Sequence, residues 1–148
     1  MKTNHLKFVL TSALIVGSLD LLFAFLSSWW SSGTSPEGVV RYVASGLIGE
    51  KAFCSEFFLA IPIGIVIHYF IALFWTVVFF WAYTKFKWLS KQKIVVGIMF
   101  GIFVWLVMNV VILPLSLVPS FEYTWSGAIK GAVILIIAIG LPLAYLKK

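Results

Sequence analysis

Two ionisable residues stand inside long apolar stretches of this sequence. Asp20 interrupts the stretch at residues 8–30, and His68 lies near the middle of the stretch at residues 57–83. A charged side chain at the centre of a bilayer costs at least about 2.5 kcal/mol on insertion scales, so such residues usually face a bundle interior and find a partner there. A pair of this kind could carry a proton or bind a cation, or it could hydrogen-bond across two helices and fix their register.

The elements that must position these residues are membrane-spanning helices. The chain of 148 residues is 62% hydrophobic and only 11% charged, which is typical of a protein whose solvent is largely lipid. A helix needs about 20 residues to cross the hydrocarbon core, and open strands cannot satisfy their backbone in lipid. The sequence therefore predicts an all-α membrane protein, a four-helix transmembrane bundle that forms a single domain over residues 1–148. The four predicted spans are residues 8–30, 57–83, 94–118 and 125–146.

The basic residues predict the orientation of the bundle. Eight of them fall on one side: Lys2, Lys7, Lys85, Lys87, Lys91, Lys93, Lys147 and Lys148. Three fall on the other side: Arg41, Lys51 and Lys130. Because cytoplasmic loops carry the excess of Lys and Arg, both termini are expected in the cytoplasm. The same distribution accounts for the net charge of +6, and no nucleic-acid partner is expected.

The link between the first two spans predicts a short external helix. Ser35, Pro36 and Glu37 form a helix-start signal: an N-cap, a proline in the first turn and an acid near the positive end of the helix dipole. Apolar residues then recur at helical spacing, which predicts an amphipathic helix over residues 36–49. These residues are Val40, Val43, Ala44, Leu47 and Ile48. This helix could lie on the outer membrane surface, or it could fold over the bundle as a lid.

Rows of small residues indicate which helix faces meet protein. Asp20 and His68 lie on two such rows, so both are expected to face the bundle interior and to approach each other near the midplane. GxxxG pairs in the third and fourth spans also permit close helix approach. The predicted packing residues are Ala13, Gly17, Ala60, Gly64, Gly97, Gly101, Gly127 and Gly131.

Two further polar residues complete a predicted intramembrane cluster. Asn109 lies well inside the third span, and Ser116 follows it two turns later on the same face. Together with Asp20 and His68 they could surround a wet cavity. One Asp and one His supply too few ligands for a metal site, and no cofactor-binding or nucleophile motif is present, so neither a cofactor nor a catalytic residue is assigned.

Short segments of all four spans resemble an uncharacterised family of small bacterial inner-membrane proteins, which cross the membrane four times and have no assigned activity. These segments are Leu19-Asp20-Leu21-Leu22, Ile67-His68-Tyr69-Phe70-Ile71-Ala72, Val107-Met108-Asn109, Leu113-Pro114-Leu115-Ser116 and Gly140-Leu141-Pro142. The resemblance implies a bacterial inner-membrane setting, and it supplies no activity.

The sequence favours a non-enzymatic structural or accessory subunit whose intramembrane polar residues set helix packing. The alternative is a small permease or proton-coupled transporter that uses Asp20 and His68; an enzyme ranks third. Besides lipid, the partner could be another subunit or a second copy of the chain. A water-accessible cavity that reaches Asp20 would favour transport, whereas a dry packed pair would favour the structural role.

Overall fold

The computed structural model describes residues 2–86, 92–119 and 124–146, with side chains from His5 onward. Within these ranges it is helical and has no strand. The helices are α1 (Lys2–Ser32), α2 (Pro36–Ile48), α3 (Ala60–Lys85), α4 (Lys93–Leu115) and α5 (Trp125–Leu146). All of these except α2 are long and apolar enough to cross a membrane, which confirms the all-α class and the four helices of membrane-spanning length. The predicted cytoplasmic residues Lys87, Lys91, Lys147 and Lys148 lie outside the described residues.

The four long helices form a closed ring. Helix α1 packs between α3 and α5, and α5 in turn packs against α4. Aromatic side chains complete this arrangement between α3 and α4. Trp75 packs edge to face against Phe100 and Phe103, and the centroids of the Phe79 and Phe100 side chains are 4.9 Å apart. Such edge-to-face pairs stabilise a contact beyond the area that they bury.

The end of the bundle opposite α2 is densely packed. We call its buried residues the apolar plug. Val16 and Leu143 in the plug have no exposed surface, and partly buried aromatic side chains surround them. The plug consists of Val16, Phe79, Phe80, Val96, Ala138, Ile139, Leu143 and Ala144.

Small residues permit the closest helix contacts. A Cβ atom on Gly17 of α1 would lie 3.0 Å from Ala72 of α3, so the two helices meet at this point. Gly97 and Gly101 of α4 face the segment from Ile136 to Leu141 of α5 in the same way. A larger residue at either position of α4 would drive these backbones apart.

The other predicted packing residues occupy several environments. Ala13 and Ala60 are buried, and Gly64 lies against the backbone of Val40 in α2. Gly131 faces the indole of Trp105, whereas Gly127 is exposed and lies next to Thr124 in the first turn of its own helix. The pair in α5 therefore contributes less to helix packing than the pair in α4.

Two prolines accompany irregular turns in the long helices. The segments Val107–Ile112 of α4 and Ile136–Gly140 of α5 are π-helical, and each ends two residues before a proline, Pro114 or Pro142. A proline has no N–H group, and its ring crowds the carbonyl four residues earlier. A wider turn accommodates both effects, and π-turns of this kind occur frequently at functional sites.

Helix α2 lies across one end of the bundle, which we call the α2 end. Ser35 caps the helix by accepting a hydrogen bond from the Gly38 backbone N–H, and Pro36 occupies the first turn. The helix packs mainly on α3. Its other end reaches the segment after α4, where the Leu117 N–H donates to the Gly46 carbonyl.

The buried face of α2 differs from the apolar face that the sequence pattern indicates. The helix buries Val40, Arg41, Ala44 and Ser45, while Leu47 is 63% exposed. Arg41 is buried because its guanidinium has partners: it donates to the Glu37 carboxylate at 2.8 Å. It also donates to the backbone carbonyls of Ala52, Cys54 and Phe57. These bonds hold the turn that precedes α3. Helix α3 begins at Ala60, whereas the predicted span begins at residue 57.

Candidate functional site: a cavity that ends at Asp20

A cavity of about 1330 Å³ occupies the α2 half of the bundle. It lies between α1, α4 and α5, and residues of α2 line part of its mouth. The residues that the argument uses are Asp20, Ala24, Ser27, Ser28, Ser31, Tyr42, Trp105, Asn109, Leu113, Lys130, Ile134 and Leu135.

The α1 wall of the cavity consists of small and polar side chains. Asp20, Ala24, Ser27, Ser28 and Ser31 follow one another at spacings of three and four residues, so they share one face of the helix. None of them extends far enough to fill the space between α1 and α5. The face therefore leaves an opening in a part of the bundle where larger apolar side chains would have closed it.

Asp20 forms the floor of this cavity. Its side chain is half-buried, and it is the only aspartate or glutamate among the described residues that line the cavity. Val16 lies one turn before Asp20 in α1, on the side away from α2, and is fully buried in the apolar plug. The cavity thus reaches the middle of the bundle from the α2 end and stops at the carboxylate.

His68 lies beside Asp20 but does not line the cavity. Its Nε2 lies 2.8 Å from the carbonyl oxygen of Gly17 and donates to it, because a carbonyl can only accept. The imidazole is close enough to Asp20 for the two side chains to interact electrostatically. Among the described residues, however, neither a hydrogen bond nor an ion pair joins them, and Gly17 is the hydrogen-bond partner of His68 on α1.

Asn109 lines the cavity from α4, within the π-helical segment. Its side-chain amide donates to the Trp105 carbonyl at 2.9 Å. No donor in the described part of the chain is bonded to its amide oxygen, which is therefore available as an acceptor at the cavity wall.

Ser116 is separate from this group. Its hydroxyl donates to the Leu113 carbonyl, and it lies next to Gly46 of α2. The structure thus places Asp20 and Asn109 in one cavity, with His68 directly behind Asp20. Ser116 belongs to the contact between α4 and α2.

Lys130 and Tyr42 lie nearer the mouth of the cavity. The Lys130 ammonium donates to the Ser31 hydroxyl at 3.1 Å, which links α5 to the end of α1. Tyr42 of α2 is partly buried, and burial raises the pKa of its hydroxyl above the usual 10.0. In the described part of the mouth there is therefore one cation, Lys130, and a phenol that stays neutral at physiological pH.

Most residues of the cavity wall are absent from the predicted intramembrane cluster. A signal for the α1 wall was present, because Ser27, Ser28 and Ser31 continue the row of small residues through Asp20 and Ala24. Tyr42 and Trp105 line the cavity because of the positions of α2 and α4. The row of small residues on α1 does not determine those positions. Within the described residues, no group of three or more His, Cys, Asp or Glu side chains could hold a metal ion.

No protein-family model, no curated protein and no solved structure matches this chain. The structure itself defines the class of protein: an all-helical bundle with four helices of membrane-spanning length.

Proposed function

We propose that this protein is a small permease of the bacterial inner membrane. It binds a small solute in the cavity and couples its movement to protonation of Asp20, which interacts electrostatically with the neighbouring His68. Both termini face the cytoplasm, so the cavity opens to the outside. The excess of lysines at the predicted cytoplasmic end supports this orientation.

The observation that carries the proposal is a cavity whose described lining runs from the α2 end to Asp20 and does not continue into the apolar plug. A polar pair that served only to fix helix register would be enclosed in the bundle and would not need a route to water. Here the carboxylate faces an open space on one side and the apolar plug on the other. Access from one side to a central ionisable group is what a carrier needs before it changes conformation.

Passage to the other side requires the apolar plug to separate. The α5 residues Ala138 and Ile139 of the plug lie in the π-helical segment, where the hydrogen-bond pattern of the helix is irregular. Sharp kinks in helices occur mostly at prolines and at π-helical segments of this kind. Gly97 and Gly101 of α4 contact α5 at this same segment. Because glycine has no side chain, these contacts leave the two helices free to make small relative movements.

Proton flux in proteoliposomes tests the proposal. In this proposal Asp20 also carries a proton when the cavity holds no solute, so vesicles with an internal pH-sensitive dye should acidify faster with the wild-type protein than without it when an inward proton gradient is imposed. Asp20→Asn should abolish this difference. Ser18→Ala is the matched control: Ser18 lies on the same helix and bonds the Tyr69 hydroxyl of α3 at 2.8 Å, but it is absent from the cavity wall.

Thiol labelling tests the cavity itself. In a Cys54→Ser background, Ser27→Cys should react with a charged, membrane-impermeant thiol reagent, because Ser27 lines the cavity. Leu26→Cys should not react, because Leu26 is 58% exposed outside the cavity and faces lipid in this proposal. If both variants stay unlabelled and Asp20→Asn leaves the flux unchanged, the proposal is wrong. Co-purification of a stoichiometric larger partner would then favour an accessory subunit.

A further inference from the structure

We propose that the cavity binds an elongated amphipathic zwitterion, with an amine at one end, an apolar body and an anionic group at the other end. The amine pairs with Asp20 and the anion pairs with Lys130. This inference rests on the proposed function and names the class of solute for the same cavity.

The floor of the cavity suits an ammonium group. An ammonium has three donors and no acceptor, so it needs oxygen acceptors around it. Among the described residues that line the cavity, Asp20 is the only carboxylate, and the amide oxygen of Asn109, further along the wall, has no bonded donor. A charge-assisted hydrogen bond to a carboxylate in a site of low dielectric is roughly twice as strong as a neutral one.

Apolar side chains also line the cavity, mainly on α4 and α5 opposite the polar α1 wall. Ala24, Leu113, Ile134 and Leu135 contribute aliphatic surface, and Trp105 contributes an aromatic ring. These side chains can bury methylene groups, at about 0.8 kcal/mol for each group. A compact polar solute would leave this surface in contact with water.

Lys130 supplies the opposite charge near the mouth. Its ammonium is held by the neutral hydroxyl of Ser31, and no carboxylate of the described residues lies within ion-pair distance of it. Ser31 follows Asp20 by eleven residues of α1, which corresponds to about 16 Å along the helix axis. A simple organic cation would meet a like charge on its way to Asp20, whereas a zwitterion of this length neutralises both groups.

Binding of ω-aminododecanoate, a straight-chain probe of this class, tests the inference. The wild-type protein in lipid nanodiscs should retain the radiolabelled probe in equilibrium dialysis above the background of empty nanodiscs. Asp20→Asn and Lys130→Gln should each weaken binding about ten-fold or more, because each removes one charge-assisted contact. Lys51→Gln, a change at an exposed lysine absent from the cavity wall, should leave binding unchanged.

Two further comparisons separate a two-ended site from simple partitioning. Lys130→Arg should keep most of the affinity, which shows that Lys130→Gln acts through charge and not through misfolding. The short zwitterion γ-aminobutanoate should bind at least about ten-fold more weakly, since it cannot reach both charges and buries few methylene groups.

Equal binding of ω-aminododecanoate by the wild type, Asp20→Asn and Lys130→Gln would overturn the inference, as would equal affinity for the long and short zwitterions. Proton flux that depends on Asp20, without binding of ω-aminododecanoate, would overturn the solute class and leave the proposed function in place. Absence of both flux and cavity labelling would overturn the proposed function itself.

Discussion

At the scale of single residues, His68 connects the ionisable centre to the helix packing. Its Nε2 donates to the Gly17 carbonyl, so the imidazole ties α3 to α1 within one turn of Asp20. His68→Ala removes this buried interhelical bond. We expect it to lower stability by about 1 kcal/mol, measured as thermal unfolding in detergent. Ser18→Ala should cost a similar amount, because lipid offers the Tyr69 hydroxyl no substitute for the Ser18–Tyr69 bond between the same helices.

The electrostatic interaction between Asp20 and His68 predicts that their substitutions are coupled. The double variant Asp20→Asn/His68→Ala should lose less stability than the sum of the two single losses, because the interaction between the side chains is already absent in either single variant. Additive losses would show that Asp20 and His68 serve separate partners.

The position of Asp20 could be predicted from its neighbours in the sequence, whereas the partner of His68 could not. Asp20 lies on a row of small residues, and such a row indicates the helix face directed towards other helices. His68 bonds a backbone carbonyl, and every residue has one. No sequence pattern distinguishes Gly17 as that acceptor, so the prediction paired the two ionisable side chains with each other.

At the scale of elements, the contact between α2 and α3 depends on Gly64. A Cβ atom at this position would fall 2.8 Å from Val40 Cγ1 and closer still to the Val40 carbonyl oxygen. Gly64→Ala should therefore push α2 away from α3 and lower the free energy of unfolding by about 1–3 kcal/mol, measured by thermal or denaturant unfolding in detergent.

Gly46→Ala is the matched control for this prediction. Gly46 lies on α2, and a Cβ atom there would make only ordinary contacts, at 3.8 Å to Val118 and 3.9 Å to Ser116. Alanine also has the higher helix propensity, so this variant should be as stable as the wild type or more stable. Equal destabilisation by both substitutions would contradict the close approach at Gly64.

The sequence predicts the start of α2 but not its buried face. Ser35 and Pro36 are local signals, and a cap depends only on residues next to it. The burial of Arg41 depends on three carbonyls in the irregular turn before α3, up to sixteen residues away. The periodic pattern of α2 indicates which side chains are polar. It gives no information about the backbone acceptors that a distant turn provides.

At the scale of the whole molecule, the direction of the cavity depends on which end of the bundle faces outward. The cavity opens at the α2 end, and Cys54, the only cysteine of the chain, is exposed at this end in the turn before α3. Because the excess of lysines predicts that this end faces outward, a membrane-impermeant maleimide should modify the wild-type protein in intact spheroplasts.

The opposite end provides the control for this orientation. Lys85 is exposed at the end of α3 furthest from Cys54, so the variant Cys54→Ser/Lys85→Cys should react only after the membrane is permeabilised. Labelling of this variant in intact spheroplasts, with the wild type unlabelled, would place α2 and the cavity mouth in the cytoplasm. Asp20 would then receive its solute and its proton from the cytoplasmic side, and the proposed direction of transport would be reversed.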